Sequence, residues 1–296
     1  MVNAPQIPNW LARQYPFAPR SFVTPGGARM SYLDEGPRSD EAVVMLHGNP
    51  TWSFYYRELV RAVAPTMRCV VPDHIGMGLS AKPQDYNYTL ATRIADVEAL
   101  LASLDLKRVH LVVHDWGGAI GFGFAAKHAA MIGRLVILNT AAFPSPHIPA
   151  RIALCRAPLL GSLLVRGFNG FAWPATWMAM SARKLSADEK RAYLFPYDSW
   201  ANRVAVSEFV RDIPMGPSHR SWGTLAAVEE GLGQFRKNPV AILWGLKDFC
   251  FDQIFLDRWM EIFPDAEKEA FHQAGHYLLE DSPEAESFIE GFLSDS

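Results

Sequence analysis

The chain has 296 residues, 49% of them hydrophobic and 20% charged, with a formal net charge of −3. Such a chain buries a sizeable core and is not disordered, and its near-balanced charge leaves no basic footprint for nucleic acid. Three cysteines, Cys69, Cys155 and Cys250, form no Cys-x-x-Cys pair and no His/Cys ligand cluster, so neither a disulfide framework nor a metal site is expected, and reduced thiols fit a cytoplasmic protein.

Met1 to Phe17 carries Pro5, Pro8 and Pro16 and no long apolar run, so no secretory signal is expected there. Ser21–Val23 and Arg29–Leu33 flank Gly26-Gly27 and predict an antiparallel hairpin. Buried strands are predicted at Ala42–Leu46, Arg68–Val71, Val109–Val113, Leu135–Leu138 and Val240–Leu243, each rich in Val, Leu or Ile without polar alternation. Leu90–Leu104, Ala119–His128, Gln253–Phe263 and Pro283–Leu293 read as helices. Their alternation with the strands predicts an α/β fold with a mainly parallel sheet and right-handed crossovers. The alternation stops at Asn139 and returns at Val240. Between them lies a segment with many prolines and aromatics and no strand pattern. The expected organisation is therefore a core of residues 1–140 and 226–296 interrupted by a helical lid, 141–225, over one end of the sheet. The most apolar stretches, Leu111 to Ala126 and Pro158 to Met180, are broken by polar residues, so no membrane span is expected. Oligomeric state is not legible.

Three motifs carry chemistry. Val113-His114-Asp115-Trp116-Gly117-Gly118 follows a buried strand and precedes a helix, the context of a nucleophile elbow with Asp in place of Ser. The plainer alternative is that Asp115 only caps the helix. His47-Gly48-Asn49-Pro50-Thr51-Trp52 follows an earlier strand, where an oxyanion-hole loop belongs. The donors would be the backbone amides of Asn49 and Trp116. His276 comes last, after the run ending in Phe271, and Asp248 follows the strand Val240–Leu243. This gives the chain order nucleophile, acid, histidine. Asp252 is a weaker rival for the acid, placed to cap the next helix, and Asn139 cannot serve as an anionic partner.

With these motifs in order the sequence resembles the α/β-hydrolase superfamily and, within it, the haloalkane dehalogenases, from about Phe17 to the C-terminus. Pro72-Asp73-His74-Ile75-Gly76-Met77-Gly78-Leu79-Ser80 belongs to the same resemblance. The resemblance implies Asp115 as nucleophile, His276 as base, and Asn49 with Trp116 as a halide-stabilising pair. Asn139 stands where one branch has a catalytic glutamate, so the chain resembles the branch with Asp248 as the acid. That branch shades into β-lactone decarboxylases of long-chain olefin synthesis, which Asn139-Thr140-Ala141-Ala142-Phe143-Pro144 and Pro196-Tyr197-Asp198 also resemble.

The expected activity is hydrolytic dehalogenation of a small apolar haloalkane, with no cofactor and no metal. A carboxylate, ionised near neutral pH, displaces halide from an sp³ carbon. The Trp116 indole and the Asn49 amide stabilise the leaving halide. His276, oriented by Asp248, activates water against the alkyl ester on Asp115. Phe143, Phe168, Phe171, Trp173 and Trp177 are expected to line the substrate cavity. The alternatives are a β-lactone decarboxylase, an epoxide hydrolase using Tyr193 or Tyr197 as lid acid, and a non-catalytic receptor.

Overall fold

The computed structural model describes residues 7–294; of the Met1 to Phe17 segment, positions 1–6 lie outside the described residues. Eight strands form one sheet. They are β1 Arg20–Val23, β2 Arg29–Glu35, β3 Glu41–Leu46, β4 Arg68–Pro72, β5 Arg108–Asp115, β6 Ile132–Thr140, β7 Val240–Gly245 and β8 Glu267–Phe271, in the order β1-β2-β4-β3-β5-β6-β7-β8. The β1–β2 hairpin and the β2–β4 pair are antiparallel, and every other pair is parallel.

The central strands are apolar on both faces because both faces are covered. Val44, Val70, Leu111, Val113, Ile137 and Ile242 belong to one hydrophobic core. Their neighbours Val43, Val71, Val112, Val136, Leu138 and Leu243 belong to a second core on the other side, as the two-residue period of a strand requires. β8 was not foreseen as a strand. Its sequence, Glu-Lys-Glu-Ala-Phe, is largely exposed at the sheet edge, where charge protects an open edge and hides the hydrophobic signal. The helix Arg57–Val63 was likewise not foreseen.

Between β6 and β7 the described residues contain only helices and loops. The principal helices are Ala150–Arg156, Ala172–Met178, Ala187–Leu194, Val204–Arg211 and Trp222–Gly231. The last spans the boundary expected at Leu225 and packs against the core helix Trp116–Lys127. Buried carboxylates fasten this segment to the core. Asp281 accepts from the amides of Ser181, Ala182 and Arg183. Glu280 accepts from Arg57, Arg183 and the Tyr193 hydroxyl. Asp212, fully buried, accepts from Arg93 at 3.1 Å, the Leu90 amide at 2.7 Å, Arg220 at 2.9 Å and Ser221 at 2.8 Å.

Candidate active site

The site lies at the carboxyl ends of β3, β5, β6 and β7, where the order of a parallel sheet reverses around β3 and loops diverge to leave a crevice. β5 ends at Asp115, whose φ of 52° and ψ of −126° are unfavourable for a residue with a Cβ. The surrounding packing imposes this turn. A Cβ on Gly117 would overlap the Leu46 carbonyl, and one on Gly118 the Thr140 side chain. A Cβ on Gly48 would overlap the Asp115 carboxylate itself. The three glycines let strand, helix and loop close around one projecting side chain. Asp115 occupies the N-cap position of its helix, but its side chain makes no capping bond. It accepts from the Asn49 amide at 2.7 Å instead.

Burial raises the Asp115 pKa, opposed by the charge of His276 and by hydrogen bonds from the backbone amides of Asn49 and Trp116. The two amides expected to hold an oxyanion thus hold the carboxylate. His276 Nε2 stands 3.6 Å from Asp115 Oδ2, and its Nδ1 donates to Asp248 Oδ2 at 2.7 Å. Burial disfavours an imidazolium here, but the charge and hydrogen bond of Asp248, then the charge of Asp115, outweigh it and raise the His276 pKa. Asp252 lies outside this constellation: exposed, it caps the helix Gln253–Ile262 by accepting from the Ile254 amide.

Two features around this triad were missed in the sequence. Asn139, at a left-handed φ of 28°, donates to Asp248 Oδ2 at 3.0 Å and exchanges hydrogen bonds with Gly245. It holds the acid rather than replacing it; a polar residue at the end of a buried strand was its only signal. His114 bonds through Nε2 to the His276 carbonyl at 2.8 Å and packs its ring 4.5 Å from that of His276. Burial pushes its pKa well down, so it stays neutral.

Over Asp115 lies a cavity of about 280 Å³ with a predominantly apolar wall. Asn49, Trp116, His276, Phe143 and Phe171 line it, as do Ile152, Phe251 and Phe255. Phe168, Trp173 and Trp177, expected in its wall, are absent from it and project to the surface at 72%, 56% and 43% exposure. The correction has a geometric cause. The helix Ala172–Met178 turns Pro174, Ala175 and Met178 to the cavity, which sends Trp173 and Trp177 outward. Tyr193 and Tyr197 do not line the cavity either: Tyr193 donates to Glu280 and Tyr197 to the Thr51 carbonyl. The acid that epoxide opening would need is therefore not supplied by either tyrosine.

Asn49 Nδ2 donates to the Val206 carbonyl at 3.1 Å, and its Oδ1 is buried without a partner among the described residues. The indole N–H of Trp116 has no protein acceptor among the described residues. Its ring packs against Phe209 and lies 5.7 Å from the guanidinium carbon of Arg93. The cavity floor therefore combines a carboxylate, an imidazole and uncharged N–H donors.

A sheet of this order with this elbow defines an α/β-hydrolase, and the family model for the alpha/beta hydrolase fold matches residues 41–283. The chain belongs to that family and, like its relatives, is an enzyme. It is 47% identical to a cis-3-alkyl-4-alkyloxetan-2-one decarboxylase of Shewanella oneidensis over 94% of this chain and 89% of that protein. It is 46% identical to the enzyme of the same name from Xanthomonas campestris pv. campestris, over 91% and 93%. It is 27% identical to haloalkane dehalogenase 2 of Mycobacterium tuberculosis over 94% and 96%. Among solved structures, haloalkane dehalogenase DbeA from Bradyrhizobium elkani superposes with a TM-score of 0.84 at 26% identity, over 95% of this chain and all of that one.

Proposed function

We propose that this chain decarboxylates cis-3,4-dialkyl β-lactones to alkenes at Asp115, with segment 141–225 acting as the cap of the site. The observation that carries this reading is the gap in identity, 46–47% to the oxetan-2-one decarboxylases against 27% to haloalkane dehalogenase 2 of Mycobacterium tuberculosis, over more than nine-tenths of the chain in each case. An apolar cavity above a buried carboxylate suits a substrate with two alkyl arms and one small polar ring.

Asp115 attacks C4 of the oxetanone from the side opposite the ring oxygen. The C4–O bond breaks, its electrons pass to the departing carboxylate, and an alkyl ester forms on Asp115. The carboxylate is received by the Trp116 indole N–H and the second N–H of Asn49 Nδ2, with His276 as the cation beside it. The C3–carboxylate bond then breaks. Its electrons form the C3=C4 double bond, the C4–O bond to Asp115 breaks, and the Asp115 carboxylate returns unchanged. The products are CO₂ and an alkene, and no water is consumed. Inversion at C4 followed by anti elimination keeps the two alkyl groups on one side, so a cis lactone gives a cis alkene. Asp248 and Asn139 hold His276 in place throughout. The site needs no metal or cofactor for this sequence, and a cytoplasmic location suits its three free thiols.

Haloalkane dehalogenation is the second reading, favoured by the unaccepted indole N–H of Trp116 beside Asn49. Asp115 would form the same kind of ester, and His276, acting as a base, would direct water to hydrolyse it. Supplying the purified chain with a cis-dialkyl β-lactone, a haloalkane and an epoxide separates the readings. The first predicts cis alkene and CO₂ from the lactone at a rate well above halide release. Halide release alone, or a β-hydroxy acid from the lactone, overturns it.

A further inference from the structure

Ten large hydrophobic side chains are exposed among the described residues, and eight of them lie between Leu154 and Trp200. Burial is the rule for such residues, so eight within one short segment call for an occupant. The most exposed are Leu159 at 88% and Phe168 at 72%. Trp173 and Trp177, four residues apart on one helix, pack edge to face at 4.4 Å and still face solvent. Leu163 and Trp200 meet around Gly167.

Most of this stretch has a one-sided charge, its acids Asp188, Glu189 and Asp198 lying only at its end. From Ala141 to Ala187 there is no Asp or Glu, against Arg151, Arg156, Arg166, Arg183 and Lys184. Arg183 pairs with Glu189 and Glu280. Arg151, Arg156 and Arg166 form no ion pair among the described residues. Their guanidiniums rest on the Met178 sulfur, the Ile213 carbonyl, and Gln84 with the Trp200 carbonyl respectively. Leucine and tryptophan set among unpaired arginines is the composition of a surface that lies in the headgroup layer of a membrane. The helices concerned also face the cavity: Ile152 and Cys155 line it from one helix, Pro174 and Met178 from another.

We propose that this face of segment 141–225 docks on the surface of an anionic phospholipid bilayer, so that the cavity opens toward the layer in which a dialkyl substrate is dissolved. The apolar side chains enter the acyl boundary, and Arg151, Arg156 and Arg166 meet lipid phosphates. A second copy is a poorer occupant. A two-fold contact places the patch against itself, and these arginines would then face each other, with no acid between Ala141 and Ala187 to pair them. The nature of the substrate rests on the lactone reading; the docking itself does not, and vesicle binding is measured without turnover.

The test is flotation of the full-length chain with phosphatidylcholine vesicles, with and without phosphatidylglycerol. The expected result is binding to the anionic vesicles, weakened at least about tenfold in the double variant W173S/W177S and weakened by salt. Neither tryptophan lines the cavity, so turnover of a short-chain, water-soluble substrate stays at the wild-type rate, which also shows the variant folded. R156Q/R166Q should lose the preference for anionic over neutral vesicles. Absence of vesicle binding overturns the proposal, as does binding that is indifferent to both double variants. A dimer in sedimentation velocity that W173S/W177S dissociates, with no vesicle binding, also overturns it and gives the face to a second copy.

Discussion

Asp115 is held in a left-handed turn, desolvated and aimed into an apolar cavity, an arrangement that costs stability and yields a reactive carboxylate. A carboxyl group whose folded pKa is raised destabilises the fold once it is ionised, at pH above that raised value. Asp115→Asn keeps a side chain that tolerates this φ and removes the charge. It should abolish turnover while the thermal midpoint at neutral pH stays level or rises. Retained activity, or collapse of the fold, would refute the role assigned to this residue. At the acid, Asp248→Asn should slow turnover at least about tenfold, because it withdraws the charge and hydrogen bond that keep His276 cationic and in place, and Asp252→Asn should leave kcat/KM within about twofold of wild type, as for an exposed capping residue; the reverse pattern in steady-state kinetics would exchange their assignments. Residue types at strand ends made this triad legible in the sequence. The part of Asn139 was not, because an amide that holds an acid carries no motif of its own.

The helix Val204–Arg211 links segment 141–225 to the N–H donors of the site. Its Val206 carbonyl accepts from Asn49, and its Phe209 ring packs against Trp116 and lies 3.7 Å from the buried Arg93 guanidinium. Asp212, just past its end, closes the buried pair with Arg93. Asp212→Ala leaves that cation buried and unpaired, which typically costs about 3–5 kcal/mol. Urea unfolding should show a loss of that order, and the surviving folded enzyme should show a lowered kcat because Asn49 and Trp116, which receive the departing carboxylate, lose their backing. A loss below about 1 kcal/mol would mean that the pair does not fasten the helix. At this scale the sequence was uneven. Doubly covered strands announce themselves through Val and Ile runs, whereas β8 is charged along one edge and has no run to find. Helices of segment 141–225 have two apolar faces, one toward the cavity and one toward solvent. Hydrophobicity alone did not say which aromatic belongs to which face, and Phe168, Trp173 and Trp177 were misplaced for that reason.

For the molecule as a whole, the fold follows from alternating strands and helices, but one fold hosts many reactions. The two readings of the site differ in the state of His276, whose pKa is raised above the usual histidine value, burial notwithstanding, by Asp248 and Asp115. Decarboxylation uses the cation beside the departing carboxylate, so lactone turnover should fall as pH rises through that raised value. Ester hydrolysis uses the neutral base, so haloalkane turnover would rise through the same range. A pH profile of kcat for each substrate reads that sign. The most direct test of the central claim is a single turnover of a cis-dialkyl β-lactone in ¹⁸O-labelled water, followed by mass spectrometry of the peptide containing Asp115. Elimination returns the carboxylate with its own oxygens, so the account predicts cis alkene, CO₂ and an unlabelled peptide. One ¹⁸O in Asp115, accompanied by a β-hydroxy acid, would show that water had cleaved the ester at its carbonyl and would contradict it.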